Sequence, residues 1–92
     1  MYIISYDISN DRKRAKVAKV MEDYGRRVQY SVFECILDRA KYEELYGKLL
    51  ELLQEEEMAS VRIYNLCERC RQRTMVIGTE ETKAEPEDVY VI

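Results

Sequence analysis

The chain opens on a largely apolar run, then switches to a helical rhythm. Met1-Tyr-Ile-Ile-Ser-Tyr-Asp7 is short, β-branched and aromatic, with no breaker, and predicts a buried strand. The run ends on the carboxylate of Asp7, and Ser9-Asn10-Asp11 follows as a helix-start signal. Val17, Val20, Met21 and Tyr24 recur at i, i+3, i+4 and i+7, which predicts a helix over 11–24. Asn10 or Asp11 would cap its start, and Gly25 stands where a left-handed stop belongs. Residues over 28–37 alternate and predict one long strand. Asp38 opens a second helix over 40–55, its period carried by Tyr42, Leu45, Tyr46, Leu49, Leu52 and Leu53.

Two further strands, 60–67 and 74–77, flank a polar connection that contains Cys67-Glu-Arg-Cys70. Residues 79–88 are polar, acidic and hold the single proline, Pro86, which reads as a linker. A last β-type run, 89–92, wants a sheet edge to join, and a second copy of the chain could offer one. The predicted order is strand, helix, strand, helix, then three strands. A ferredoxin-like sandwich needs a hairpin ahead of its second helix, and periodicity alone does not supply it.

Ninety-two residues allow one core. Apolar residues at 47% favour a globular chain, and charged residues reach 36%. The net charge of −3 is unevenly spread: +3 through Lys41 and −6 beyond it. An overall acidic chain is not a simple basic nucleic-acid binder, but its amino-terminal half can still carry a basic patch. Arg12, Lys13, Arg14, Lys16 and Lys19 crowd the first helix, several in its first half, where the helix dipole disfavours cations. A solvated face would account for them; an anionic partner would account for their position.

Three cysteines and no recognisable leader argue against a secreted disulfide framework, and no apolar run is long enough to span a membrane. A cytoplasmic protein without membrane attachment is expected. Cys67 and Cys70 could be half of a zinc site, completed only by a second copy. A thioredoxin-like role would need a helix to start at Cys67 directly after a strand, and the flanking residues do not advertise one. The absence of histidine removes most acid–base and nucleophile schemes. What remains is a carboxylate at a strand end, arginines, the hydroxyls of Tyr6, Ser9 and Ser31, and a Phe33 that could be exposed. Mg²⁺ suits such hard donors. A lone Asp7 would hold it poorly, and two copies of Asp7 facing across a two-fold axis would hold it better.

Tyr6-Asp7-Ile8, the basic helix ending at Tyr24-Gly25, and above all Arg27-Val-Gln-Tyr-Ser-Val-Phe-Glu34 resemble the Cas-two family of small CRISPR-associated proteins. Val61-Arg-Ile-Tyr-Asn-Leu-Cys67 and Val76-Ile-Gly78 extend the resemblance over nearly the whole chain. It implies an α+β, ferredoxin-like two-layer sandwich over 1–78, an antiparallel sheet covered by two helices. It also implies a C-terminal arm and extra strand over 79–92 that pack on a homodimer partner. By position it implies Asp7 as the metal ligand, and Asp7, Tyr6, Arg14, Arg27, Ser31 and Phe33 as residues that affect nuclease activity. Arg12, Lys13, Arg14, Lys16 and Arg27 are the expected nucleic-acid contacts. Lys16 stands where some relatives carry a second arginine, so bidentate phosphate contact is lost there. The resemblance implies a CRISPR adaptation protein: a Mg²⁺-dependent endonuclease on RNA or double-stranded DNA, and the DNA-binding core of a complex with the Cas-one integrase. The alternatives are a purely architectural scaffold, or a ferredoxin-like regulatory or interaction domain without nucleic acid.

Overall fold

The computed structural model describes residues 1–78 and the backbone of 89–91. The elements are β1 (Tyr2–Ile8), α1 (Asp11–Glu22), β2 (Arg26–Gln29), β3 (Val32–Cys35), α2 (Arg39–Leu53), β4 (Ala59–Asn65), α3 (Glu68–Gln72), β5 (Met75–Ile77) and β6 (Val89–Val91). The first four strands of the fold lie in the order β2-β3-β1-β4, with β1 antiparallel to both neighbours. This is the ferredoxin-like arrangement, β-α-β-β-α-β.

The long strand expected over 28–37 is a hairpin instead. Tyr30 and Ser31 form a two-residue turn, and Arg26 and Arg27 join the strand before it. The Ser31 carbonyl accepts the Tyr6 backbone N–H at 3.1 Å, which ties the hairpin tip to β1. The pairing shifts register between Arg27 and Gln29, so Val28 is an extra residue in the ladder. Such a bulge twists a strand locally and re-aims its side chains. This hairpin supplies the strand count that the pattern of the sequence lacked.

One face of the sheet carries the core. Ile4, Tyr6 and Ile8 of β1 and Phe33 and Cys35 of β3 are buried against Val17 and Met21 of α1 and Leu45 and Leu49 of α2. The two helices start where their caps predict. Asn10 accepts the Lys13 N–H at 3.0 Å, and Asp38 accepts the Lys41 N–H at 2.8 Å. Each such cap contributes about 1 kcal/mol. Tyr46, expected on the buried stripe of α2, is exposed.

Gly25 does not act as a left-handed stop; among the described residues only Gly78 has positive φ, at 121°. Asp23 ends α1 in a right-handed conformation. Gly25 is needed because β2 passes close over β3: a Cβ there would overlap Cys35 Sγ and the Glu34 carbonyl oxygen. The connection after β4 also differs from expectation. Cys67 caps a short helix, α3, where only a polar loop was predicted. Beyond it, β5 and β6 pair in parallel, Met75 with Val89 and Ile77 with Val91. The linker expected over 79–88 lies outside the described residues.

Candidate functional site

Successive side chains on a strand point to opposite faces. That rule divides the expected site residues. Tyr6 faces the helices and is buried, whereas Asp7 points to the other face and is exposed.

On the helix side, Tyr6, Asp11, Arg14, Ala15, Ala18, Arg27 and Tyr30 line a cleft of about 240 Å³. It sits where the carboxyl end of β1 turns into α1 and the β2–β3 hairpin curls alongside. Arg14 is held there by two contacts, a 2.9 Å hydrogen bond to the Ile8 carbonyl and an ion pair with Asp11. The Asp11 carboxylate, foremost, raises the Arg14 pKa further, so this guanidinium stays charged at any ordinary pH. Arg27 extends from the bulged strand over the Phe33 ring, 5.2 Å from its centre. Such a contact holds an exposed guanidinium in place for about 0.5–1 kcal/mol.

Phe33, which the sequence left open to exposure, is not exposed. It is fully buried, with the Tyr6 ring centre 6.3 Å away. Its inward phase follows from its register opposite Ile4, the most central core position of β1. Ser31 lies in the hairpin turn and contributes its carbonyl to β1. Arg12 and Lys16 are exposed on α1 and Lys13 is half-buried. Arg14 and Arg27 therefore share the cleft, with Arg12, Lys13 and Lys16 further basic groups on α1.

The other sheet face holds Asp7 with its register partner Ser60, then Ser5 between Val32 and Arg62, then Ile3 between Glu34 and Tyr64. Arg26 and Glu34 form an ion pair of 3.0 Å on it. Ile3 and Val32 give this face a half-buried apolar centre within a polar border. Asp7 and the cleft thus share one end of β1 but lie on opposite sides of the sheet.

The donor set for a divalent cation can be judged from this layout. Among the described residues no three Asp, Glu, Cys or His side chains gather around one point. Within a chain, the register partner of Asp7 among the described residues is Ser60, which bears a hydroxyl. These are hard oxygen donors, which fit Mg²⁺ in type. They fit in number only if a second copy adds its own.

Two residues of this layout escaped the sequence reading. Tyr30 looks like an interior strand residue but forms the cleft wall, 70% exposed at the hairpin tip. Ser60 becomes a neighbour of Asp7 only through the β1–β4 register. No local signal marks either.

Fold and site define a small ferredoxin-like α+β protein, cationic at one end of its helix-covered face and carrying the exposed Asp7 carboxylate on the other. The family profile described as CRISPR associated protein Cas2 matches residues 1–74. The chain belongs to the Cas2 family. A relative from Chloroflexus aurantiacus, named CRISPR-associated endoribonuclease Cas2 1, is 46% identical over 91 residues, or 99% of this chain and 98% of the relative. The crystal structure of Streptococcus pyogenes Cas2 superposes with a TM-score of 0.71 at 30% identity, covering 84% of this chain and 98% of that one. A chain of a partial Cas6-RT-Cas1–Cas2 complex superposes with a TM-score of 0.68 at 32% identity, covering 79% and 84%. Among the described residues no helix is long and apolar enough to cross a membrane.

Proposed function

We propose that the protein is a homodimeric CRISPR adaptation factor that binds nucleic-acid backbone through the Arg14–Arg27 cleft and α1. In the same proposal it pairs two Asp7 carboxylates around Mg²⁺ for phosphodiester cleavage of RNA or duplex DNA. The observation that carries it is the convergence of two held guanidiniums on a cleft of about 240 Å³ at the end of β1. Guanidinium groups match phosphate oxygens in geometry as well as charge. The relative named an endoribonuclease supports the cleavage.

The Asp7 face suits a second copy. Its apolar centre of Ile3 and Val32 suits burial, and a two-fold axis through such a patch brings equivalent residues together. Two facing carboxylates repel unless a cation lies between them. Asp7 of each subunit would hold Mg²⁺, with the Ser60 hydroxyl as a neighbouring donor. When bound, Mg²⁺ stabilises charge on a phosphoryl oxygen and acidifies water. Arg14 and Arg27 hold phosphates, and Tyr6 and Phe33 fix the wall on which Arg27 rests.

An architectural role rests on a separate observation. The cleft arginines Arg14 and Arg27 and the basic residues of α1 lie on the side of the sheet opposite Asp7, so backbone binding there does not need the carboxylate. The structural neighbour from a partial Cas6-RT-Cas1–Cas2 complex supports assembly with Cas1, in which such a dimer would hold DNA. Replacing Arg12, Lys13, Arg14 and Lys16 together by Gln is expected to weaken duplex binding for every sequence tested. The slope of log affinity against log salt should become shallower by up to about 4 per chain, roughly one per lost phosphate contact. Titrations at several salt concentrations measure this, with Asp7→Asn retaining the parent slope. An unchanged slope in the fourfold variant would discard the α1 face as the binding surface.

A further inference from the structure

Neither face of the sheet uses Cys67 or Cys70. Both thiols are exposed, and their sulfurs lie 3.3 Å apart. The proximity is built by the backbone. Leu66 is fixed against the chain start: its N–H donates to the Met1 carbonyl at 2.7 Å, and its carbonyl accepts the Met1 amino group at 2.9 Å. Cys67 follows in an extended conformation and caps α3, accepting the Cys70 N–H on its sulfur at 3.4 Å. The cap and the helical turn put the two side chains on one side. The strand-then-helix context that the sequence did not advertise is therefore present.

We propose that Cys67 and Cys70 form a thiol–disulfide exchange site whose substrate is a low-molecular-weight disulfide, RSSR. The Cys67 thiolate attacks one sulfur of RSSR; the Cys67–SR bond forms, the RS–SR bond breaks, and RS⁻ leaves to take up a proton. Cys70 loses its proton to solvent and attacks the Cys67 sulfur, which releases the second RS⁻. The two thiols give up two electrons, and RSSR is reduced to two RSH. The assignment of attacker and resolver follows from the cap. The Cys70 backbone N–H, foremost, favours the Cys67 thiolate and lowers its pKa, whereas the adjoining Cys67 sulfur raises that of Cys70. A depressed thiol beside a raised one is the pairing that exchange uses.

Cys35 provides an internal contrast. It is fully buried against the Gly25 turn, and burial pushes its thiol up to about 11. It should not react in the folded protein. The ring closed by a Cys67–Cys70 bond spans one turn, so it restrains the unfolded chain little. Its effect would be local, on the turn that leads from β4 to β5. The site stands independently of the nucleic-acid reading.

The test uses the full-length protein in glutathione buffers of graded ratio, quenched with acid and read by intact mass and peptide mapping. The expected product is an intramolecular Cys67–Cys70 bond with a mass loss of two hydrogens. In the reduced native protein iodoacetamide should label Cys67 and Cys70, and Cys35 only after denaturation. Cys70→Ser should accumulate a glutathione adduct on Cys67 faster than Cys67→Ser does on Cys70. Disulfides found only between chains, labelling of Cys35 at the same rate, or stoichiometric zinc held by both thiols with no disulfide formed would each overturn the proposal.

Discussion

Asp7→Asn is expected to abolish Mg²⁺-dependent cleavage of RNA and duplex DNA while leaving the fold of each chain intact. Asp7 is exposed at the end of β1, and among the described residues nothing pairs its carboxylate. The amide preserves size and removes only the charge that a divalent cation requires. An exposed change of this kind shifts stability by no more than about 0.5 kcal/mol. Charge stabilisation by a metal is worth several kcal/mol, and about 1.4 kcal/mol is tenfold in rate. The expected loss is therefore about 100-fold or more. Single-turnover cleavage by matched preparations, with a chelator control, gives the ratio. Equal rates in the parent and Asp7→Asn would assign the activity to a contaminant and remove Asp7 from the reaction.

Phe33→Ala is expected to cost about 3–5 kcal/mol of folding stability, the range for emptying a fully buried aromatic site. Domains of this size have about 5–15 kcal/mol in total, so the variant would sit near the edge of folding. The position resembles a nuclease-affecting residue of the family, yet its ring lies beneath Arg27 and beside Tyr6, away from solvent. Its influence on cleavage should act through the position of Arg27. Urea unfolding reads the stability directly. Phe33→Leu, which keeps most of the volume, should retain both fold and cleavage once expressed. A Phe33→Leu protein that is as stable as the parent but inactive would mean that the ring itself touches the substrate.

The two longer helices were legible because their signals are redundant. Asn10 and Asp38 cap them, and Val17, Met21, Leu45 and Leu49 repeat with helical period on one buried side. The hairpin was not legible, because Tyr30-Ser31 is neither a glycine nor an asparagine turn and alternation continues almost unbroken through it. The bulge at Val28 hides the true phase of that strand. Helix α3 has five polar or sulfur-bearing residues and no buried side chain, so no periodicity could reveal it. The role of Gly25 required knowing how closely the backbone of β3 passes, which is a tertiary fact.

The site was half legible. Asp7 at the end of the first strand followed directly from the local pattern, and the basic character of α1 from its composition. Family resemblance grouped Asp7 with Tyr6, Arg14, Arg27, Ser31 and Phe33 as if they shared one place. Strand alternation separates Asp7 from Tyr6, and the hairpin then puts Arg27 on the Tyr6 side. The consequence is physical: a metal held by Asp7 and a phosphate held by Arg14 and Arg27 would lie across the sheet from one another within a chain. Any mechanism that uses both must be arranged by the way two chains meet.

The Asp7 face of one molecule is expected to pack on the same face of another and bring the two carboxylates together. The direct measurement is crosslinking of Asp7→Cys in a background of Cys67→Ser and Cys70→Ser, with Cys35 buried, using mild oxidation or a short bis-thiol reagent. Covalent dimers are expected in high yield from Asp7→Cys and not from the background protein alone. A dimer that fails to crosslink through position 7, or a protein that stays monomeric, would contradict the account.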